Sequence, residues 1–173
     1  MNHADHVALL RAGVSGPGVW ADLGAGAGAF TLALAELLGP AGVIYAVDRD
    51  PGALRELARA VRERFPAVPV HPRAADFTQP LDLPPLDGLV LANSLHFVPD
   101  QLTVLRRLRQ RLGAGGRLIL VEYNAEAGNR WVPHPIPYPA WVALARQAGF
   151  TDTRWLASRP SRFLREIYSA VSA

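Results

Sequence analysis

Residues 19–30 read VWADLGAGAGAF, and the fold turns on this stretch. Val19–Leu23 is an apolar run of strand length. Gly24, Gly26 and Gly28 then alternate with alanines, and a helical pattern begins at Ala29. A strand that passes through a glycine turn into a helix opens a βαβ unit. Side chains at the three glycines would stand between the backbone and a ligand lying against it. The helix that follows presents unpaired N–H groups at its start. This arrangement implies a nucleotide-type cofactor.

Working outward, strand-length apolar runs alternate with amphipathic helical windows. A short helix over His3–Ala12 precedes the glycine turn. The helix after the turn extends to Leu38, where Gly39 and Pro40 stop it. Val43–Asp48 is the second strand. Asp50 caps a helix that begins at Pro51 and runs to about Phe65. Val68–Arg73 is the third strand, and the proline-rich segment 74–85 reads as a loop in place of a crossover helix. Leu86–Ala92 is the fourth strand. Asp100 caps a helix with apolar positions at Leu102, Leu105, Leu108 and Leu112, which puts Arg106, Arg107, Arg109 and Arg111 on its solvated face. Gly113–Gly116 breaks that helix before a fifth strand, Arg117–Tyr123. A proline-rich run over 124–139, a helix to Ala148, and an extended pair at Asp152–Ala157 and Phe163–Ala170 complete the chain.

At 173 residues and 50% hydrophobic content, the chain suits one globular domain that buries roughly 70% of its unfolded surface. The single domain divides into a short N-terminal helix (1–17), a cofactor-binding core (18–123) and a substrate-side loop, helix and strand pair (124–173). Cysteine is absent, which excludes disulfides, thiolate-held zinc, iron–sulfur clusters and a cysteine nucleophile. No other metal site is expected. There is neither a signal-peptide pattern nor an apolar run of ~18 residues, so the expectation is a soluble cytoplasmic protein without membrane contact. Charge divides unevenly. Residues 1–100 hold 7 Arg against 11 Asp plus Glu (net −4), and residues 101–173 hold 11 Arg against 4 acids (net +7). A basic half can attract nucleic acid or an anionic small molecule. Helical spacing of the arginines favours the simpler reading of a solvated helix face, so nucleic acid is not the favoured partner.

The glycine turn alone fits both the GxGxG of methyltransferases and the GxGxxG/A of dinucleotide binders. Asp48, 24 positions after Gly24, serves ribose hydroxyls in either case. Three other features separate the two. Asp22 places an acid inside the first strand, where dinucleotide fingerprints are apolar. Ala75-Asp76-Phe77 follows the third strand, and Leu91-Ala92-Asn93-Ser94 ends the fourth. With DLGAGAG, VDRD, ADF, LVLANSLHF and GAGGRLILVEY in this order, the chain resembles the class I S-adenosylmethionine-dependent methyltransferases of small-molecule type over about residues 18–170.

The resemblance implies a doubly wound, Rossmann-like α/β fold. Its seven-stranded, mostly parallel sheet carries helices on both faces, and the last strand is antiparallel and inserted. The implied cofactor is S-adenosylmethionine. Gly24, Gly26 and Gly28 would approach its methionine and ribose, Asp22 would orient its ammonium group, and Asp48 would hold the ribose hydroxyls with Arg49 flanking the adenine. Asp76 would accept the adenine amino group beside Phe77, and Asn93 would line the pocket.

The methyl acceptor implied is a small molecule. Two adjacent prolines are typical after the Asn or Asp in enzymes that methylate base or amide nitrogen, whereas Ser94 and Leu95 stand there in this chain. His96, near the pocket mouth, is the candidate base. Tyr123 and His134 are the next candidates for that role, and Trp131, His134 and Tyr138 are candidates for an aromatic acceptor wall, so Tyr123, Trp131, His134 and Tyr138 are the expected substrate-side residues. Two alternatives stay open: methylation of RNA or protein through the basic half, and an NAD(P)-binding Rossmann oxidoreductase.

Overall fold

The computed structural model describes residues 1–161 and 163–173. Helix α1 (His3–Leu10) starts at a reciprocal cap, in which Asp5 N–H donates to Asn2 Oδ1 at 2.9 Å and Asn2 N–H donates to Asp5 Oδ2 at 3.1 Å. Strand β1 (Val19–Leu23) leads through the glycine turn to α2 (Ala29–Leu38). Strand β2 (Val43–Asp48) leads to α3 (Pro51–Arg64), which Asp50 caps by accepting from Gly52 N–H at 2.7 Å. Strands β3 (Val70–Ala74) and β4 (Leu86–Ala92) are joined by irregular chain, as the prolines of that segment require. Helix α4 (Gln101–Arg109), capped by Asp100, precedes β5 (Leu112–Tyr123). Helix α5 (Tyr138–Ala148) and strands β6 (Thr153–Ser161) and β7 (Arg165–Ser172) follow.

The seven strands form one sheet in the order β3-β2-β1-β4-β5-β7-β6. β7 is antiparallel to both β5 and β6, and the other pairings are parallel. This is the expected topology. Alternation along the central strands sorts their side chains to two faces. Leu89, Leu91, Leu118 and Leu120 join the core under α4 and α5, around the fully buried Trp141. Val90, Ile119 and Val121 join the core under α1 and α2 with Leu9, Leu10 and Leu34. α3 adds Leu54, Leu57 and Val61 against Ala46.

Several boundaries differ from the sequence expectation. β5 begins at Leu112, not Arg117, because the glycine segment stays extended: Leu112 pairs with Leu86, and Leu86 N–H donates to Arg111 O at 2.9 Å. Gly115, at φ +76°, absorbs the resulting irregularity. β3 starts two residues later than expected, at Val70. β6 is longer than expected and β7 lies two residues later at the same length, and Pro160 is accommodated because β6 is an edge strand with no further neighbour needing its N–H. α1 ends at Leu10.

Chain order reverses between β1 and β4, so the loops leaving their C-terminal ends diverge and open a crevice.

Candidate active site

A cavity of about 650 Å³ opens at that switch point, within the size range of small-molecule sites. Gly24 after β1, Asp48 and Arg49 at the end of β2, Asp76 and Phe77 after β3, and Asn93 after β4 all line it. Six residues read from separate motifs therefore meet on one wall.

Local hydrogen bonds shape that wall. Asp48 Oδ2 accepts from Gly26 N–H at 2.8 Å and Oδ1 accepts from Asp50 N–H at 2.9 Å, so its carboxylate is fixed against the glycine turn. Each oxygen keeps acceptor capacity for a hydroxyl. Asp76 Oδ1 accepts from both the hydroxyl and the N–H of Thr78, at 2.7 and 2.8 Å. These bonds, helped by the positive charge of Arg49, hold the Asp76 carboxyl below the ordinary carboxylate range.

Asn93 adopts φ +52°, in the left-handed region that Asn tolerates better than most residues. Its N–H donates to Val121 O at 2.9 Å, and Ser94 Oγ donates to Leu23 O at 2.8 Å, tying the tips of β1, β4 and β5 together. The buried Asn93 Oδ1 has no hydrogen-bond partner. An orphaned acceptor at a cavity wall calls for a donor from a ligand.

Gly26, at φ +53°, has open space where a Cβ would stand, whereas a Cβ on Gly28 would meet Leu57 Cγ at 2.7 Å. The two positions therefore differ: Gly28 is required for packing against α3, whereas at Gly26 only the left-handed backbone favours glycine.

Not every expected residue reaches the cavity. Asp22 is buried behind the turn, on the α2 side, and accepts from Thr31 Oγ1 at 2.6 Å. Burial pushes its pKa up to about 6, against the opposing effect of the Thr31 bond. Gly26 and Gly28 also lie outside the cavity lining.

His96 follows β4 beside the cavity-lining Phe97, with ring centroids 4.2 Å apart, and is itself buried. Its Nδ1 lies 2.7 Å from Glu122 Oε2, and its N–H donates to Glu122 Oε1 at 3.2 Å. Glu122 is completely buried on β5. Tyr123 stands 6.3 Å from His96 and packs on Phe163. His134 N–H donates to His96 O at 3.1 Å.

The three loop residues expected as one acceptor wall are not gathered into one. Trp131 is exposed under the Arg130 guanidinium, and Tyr138 packs edge-on against Trp155 and Tyr168. The stiff proline segment separates them. It is anchored midway by Tyr168 Oη, which donates to Ile136 O at 2.7 Å.

Two functional candidates were missed in the sequence. A charged residue inside the apolar run LILVEY was the signal for Glu122, because a buried charge requires a partner. Arg107 was assigned to a solvated face, but it is half-buried, lines the cavity and donates to Thr78 O.

Residues 21–118 match the methyltransferase domain family, and the chain belongs to it. Within that family it falls in the S-adenosylmethionine-dependent class that its motifs resemble. Demethylmenaquinone methyltransferases from Geobacillus sp. (strain WCH70) and Anoxybacillus flavithermus (strain DSM 21510 / WK1) are 30% and 32% identical to it over 103 residues. Those matches cover 58% of this chain and 43% of each relative, so the chain matches less than half the length of these curated relatives. The Burkholderia thailandensis 1,6-didemethyltoxoflavin-N1-methyltransferase, solved with its substrate and S-adenosylhomocysteine, has the same fold. The TM-score is 0.74 at 22% identity, covering 98% of this chain and 77% of that one.

Proposed function

We propose that the protein transfers a methyl group from S-adenosylmethionine to a small-molecule acceptor. The carrying observation is the convergence of Gly24, Asp48, Asp76 and the orphaned Asn93 Oδ1 on one cavity at the switch point of the sheet. These groups fit the nucleoside: Asp48 offers acceptors to paired hydroxyls, Asp76 offers one to an amino group, and Phe77 offers an apolar face to a ring. When bound, the cofactor supplies an activated sulfonium methyl, so the protein's task is to orient the acceptor and exclude water.

A buried His96 oriented by Glu122 suits removal of a proton from the acceptor. With Nδ1–H donating to the Glu122 carboxylate, Nε2 is the basic atom. Glu122 acts through His96 as a positioning residue. The relatives that act on demethylmenaquinone and on 1,6-didemethyltoxoflavin support an unsaturated small molecule as the acceptor.

Calorimetric titration with S-adenosylmethionine, S-adenosylhomocysteine and NADH in parallel tests this reading. Micromolar binding of the two sulfur nucleosides, without NADH, is expected, and NADH binding alone would overturn it in favour of an oxidoreductase. Glu122→Gln keeps the size of the buried side chain and should leave nucleoside affinity unchanged. With an acceptor found by screening for methyl incorporation, that variant should turn over at least ~10-fold more slowly at unchanged KM, in the range usual for an impaired acid–base catalyst. Full turnover would return the pair to a structural role.

A further inference from the structure

Arg107 stands apart from the other arginines of α4. Arg106 reaches Gln147 O at 3.4 Å and Arg109 lies over the Phe150 ring, both against the end of α5. Arg107 instead turns toward the cavity, where its Nη1 donates to the backbone carbonyl of Thr78. Thr78 is the residue whose hydroxyl and N–H both bond Asp76 Oδ1. Gln79 N–H closes the same turn on Asp76 O at 3.0 Å.

The segment is otherwise weakly held. It lies in the irregular chain between β3 and β4, with Gln79 and Pro80 exposed. A guanidinium bond from a packed helix is the contact that ties Thr78 to the fold from across the cavity. Thr78 in turn commits Oδ1 of Asp76, and among the described residues no hydrogen bond reaches Oδ2. Arg49, on the β2 side, is the cation whose charge acts on Asp76. The contribution of Arg107 is therefore geometric and passes through Thr78.

We propose that Arg107 is a positioning residue for purine recognition: by clasping the Thr78 carbonyl it locks Asp76 with Oδ2 aimed into the cavity, selecting a ring that carries an exocyclic amino group. The inference rests on the reading of the cavity as the nucleoside site. It makes α4, the helix between β4 and β5, responsible for the adenine end of the cofactor.

The test compares two ligands, S-adenosylhomocysteine and its analogue lacking the purine 6-amino group, by calorimetry on the full chain. Arg107→Leu keeps the apolar stem and removes the donors. It should weaken S-adenosylhomocysteine about tenfold, the scale of one hydrogen bond to a charged group, and the deaminated analogue less than about twofold. Arg107→Lys retains one donor and should show a smaller loss with the same selectivity, so the conclusion does not depend on one variant's folding. In an Asp76→Ala background Arg107→Leu should cost nothing further. Equal weakening of both ligands, or no weakening of either, overturns the clasp while leaving the nucleoside site intact. Wild-type protein that binds neither ligand overturns the site itself, and the clasp with it.

Discussion

Asp22 carries the largest electrostatic cost visible near the turn. It is buried, its Thr31 partner supplies one short bond, and burial raises its pKa from 3.8 to about 6. The folded protein thus holds a proton on Asp22 over a range in which the unfolded chain has released it. Stability contributed by this site is present below about pH 4 and is lost as pH rises through about 6. A shift of this size corresponds to about 3 kcal/mol at most. Asp22→Asn keeps an acceptor for Thr31 Oγ1 and removes the titration. At pH 7.5 the variant should be more stable than wild type, by on the order of 2 kcal/mol in urea unfolding, and the gap should close by pH 4. A gap that does not change with pH would show that Asp22 titrates alike in the folded and unfolded chain. The sequence identified Asp22 as a distinguishing acid, yet its burial behind the turn depends on Thr31 and α2, which no motif at Asp22 itself encodes.

At the scale of elements, the strand, turn and helix that open the nucleotide fold make separable demands on two glycines. Gly26→Ala places its methyl in open space, so the fold bears the left-handed strain alone, about 1 kcal/mol. Gly28→Ala adds a collision with Leu57 to similar strain, about 3 kcal/mol in all. Thermal melts should therefore fall by roughly 3 °C for Gly26→Ala and roughly 10 °C for Gly28→Ala. S-adenosylhomocysteine affinity should drop at least ~10-fold for Gly26→Ala, given the steric block of a ligand lying on the backbone. Reversed rankings would mean that ligand and α3 occupy the opposite sides of the turn. This turn was legible because alternating glycines after a strand admit few other geometries. Leu112–Gly116 was misread as a helix end because glycine spacing alone does not tell a break from a bulged strand. Arg107 was misread for a related reason: helical periodicity places it beside the arginines that face outward, but the loop it meets arrives from 29 positions earlier in the chain.

For the molecule as a whole, the basic C-terminal half raises the alternative of a nucleic-acid substrate, and the structure shows where part of that charge is spent. Arg106 bonds the Gln147 carbonyl near the end of α5, where a cation also meets the favourable pole of the helix. Arg109 stacks on Phe150, Arg107 closes on Thr78, and Arg159 pairs with Asp5 of α1 at 3.2 Å. These arginines join helices, strands and loops to one another. Contacts of this kind hold these groups against the fold, so less of their charge is free to gather at one phosphate-binding face. No helix among the described residues is long and apolar enough to cross a membrane. A fluorescent single-stranded RNA should accordingly bind no more tightly than about 100 μM at 150 mM salt, the weak end of non-specific affinity, with a shallow dependence on salt. Saturable micromolar binding whose affinity falls steeply between 50 and 200 mM salt, on the scale expected for ~6 or more phosphate contacts, would overturn the small-molecule reading. It would also place the acceptor on the arginine-rich face instead of in the cavity at the switch point of the sheet.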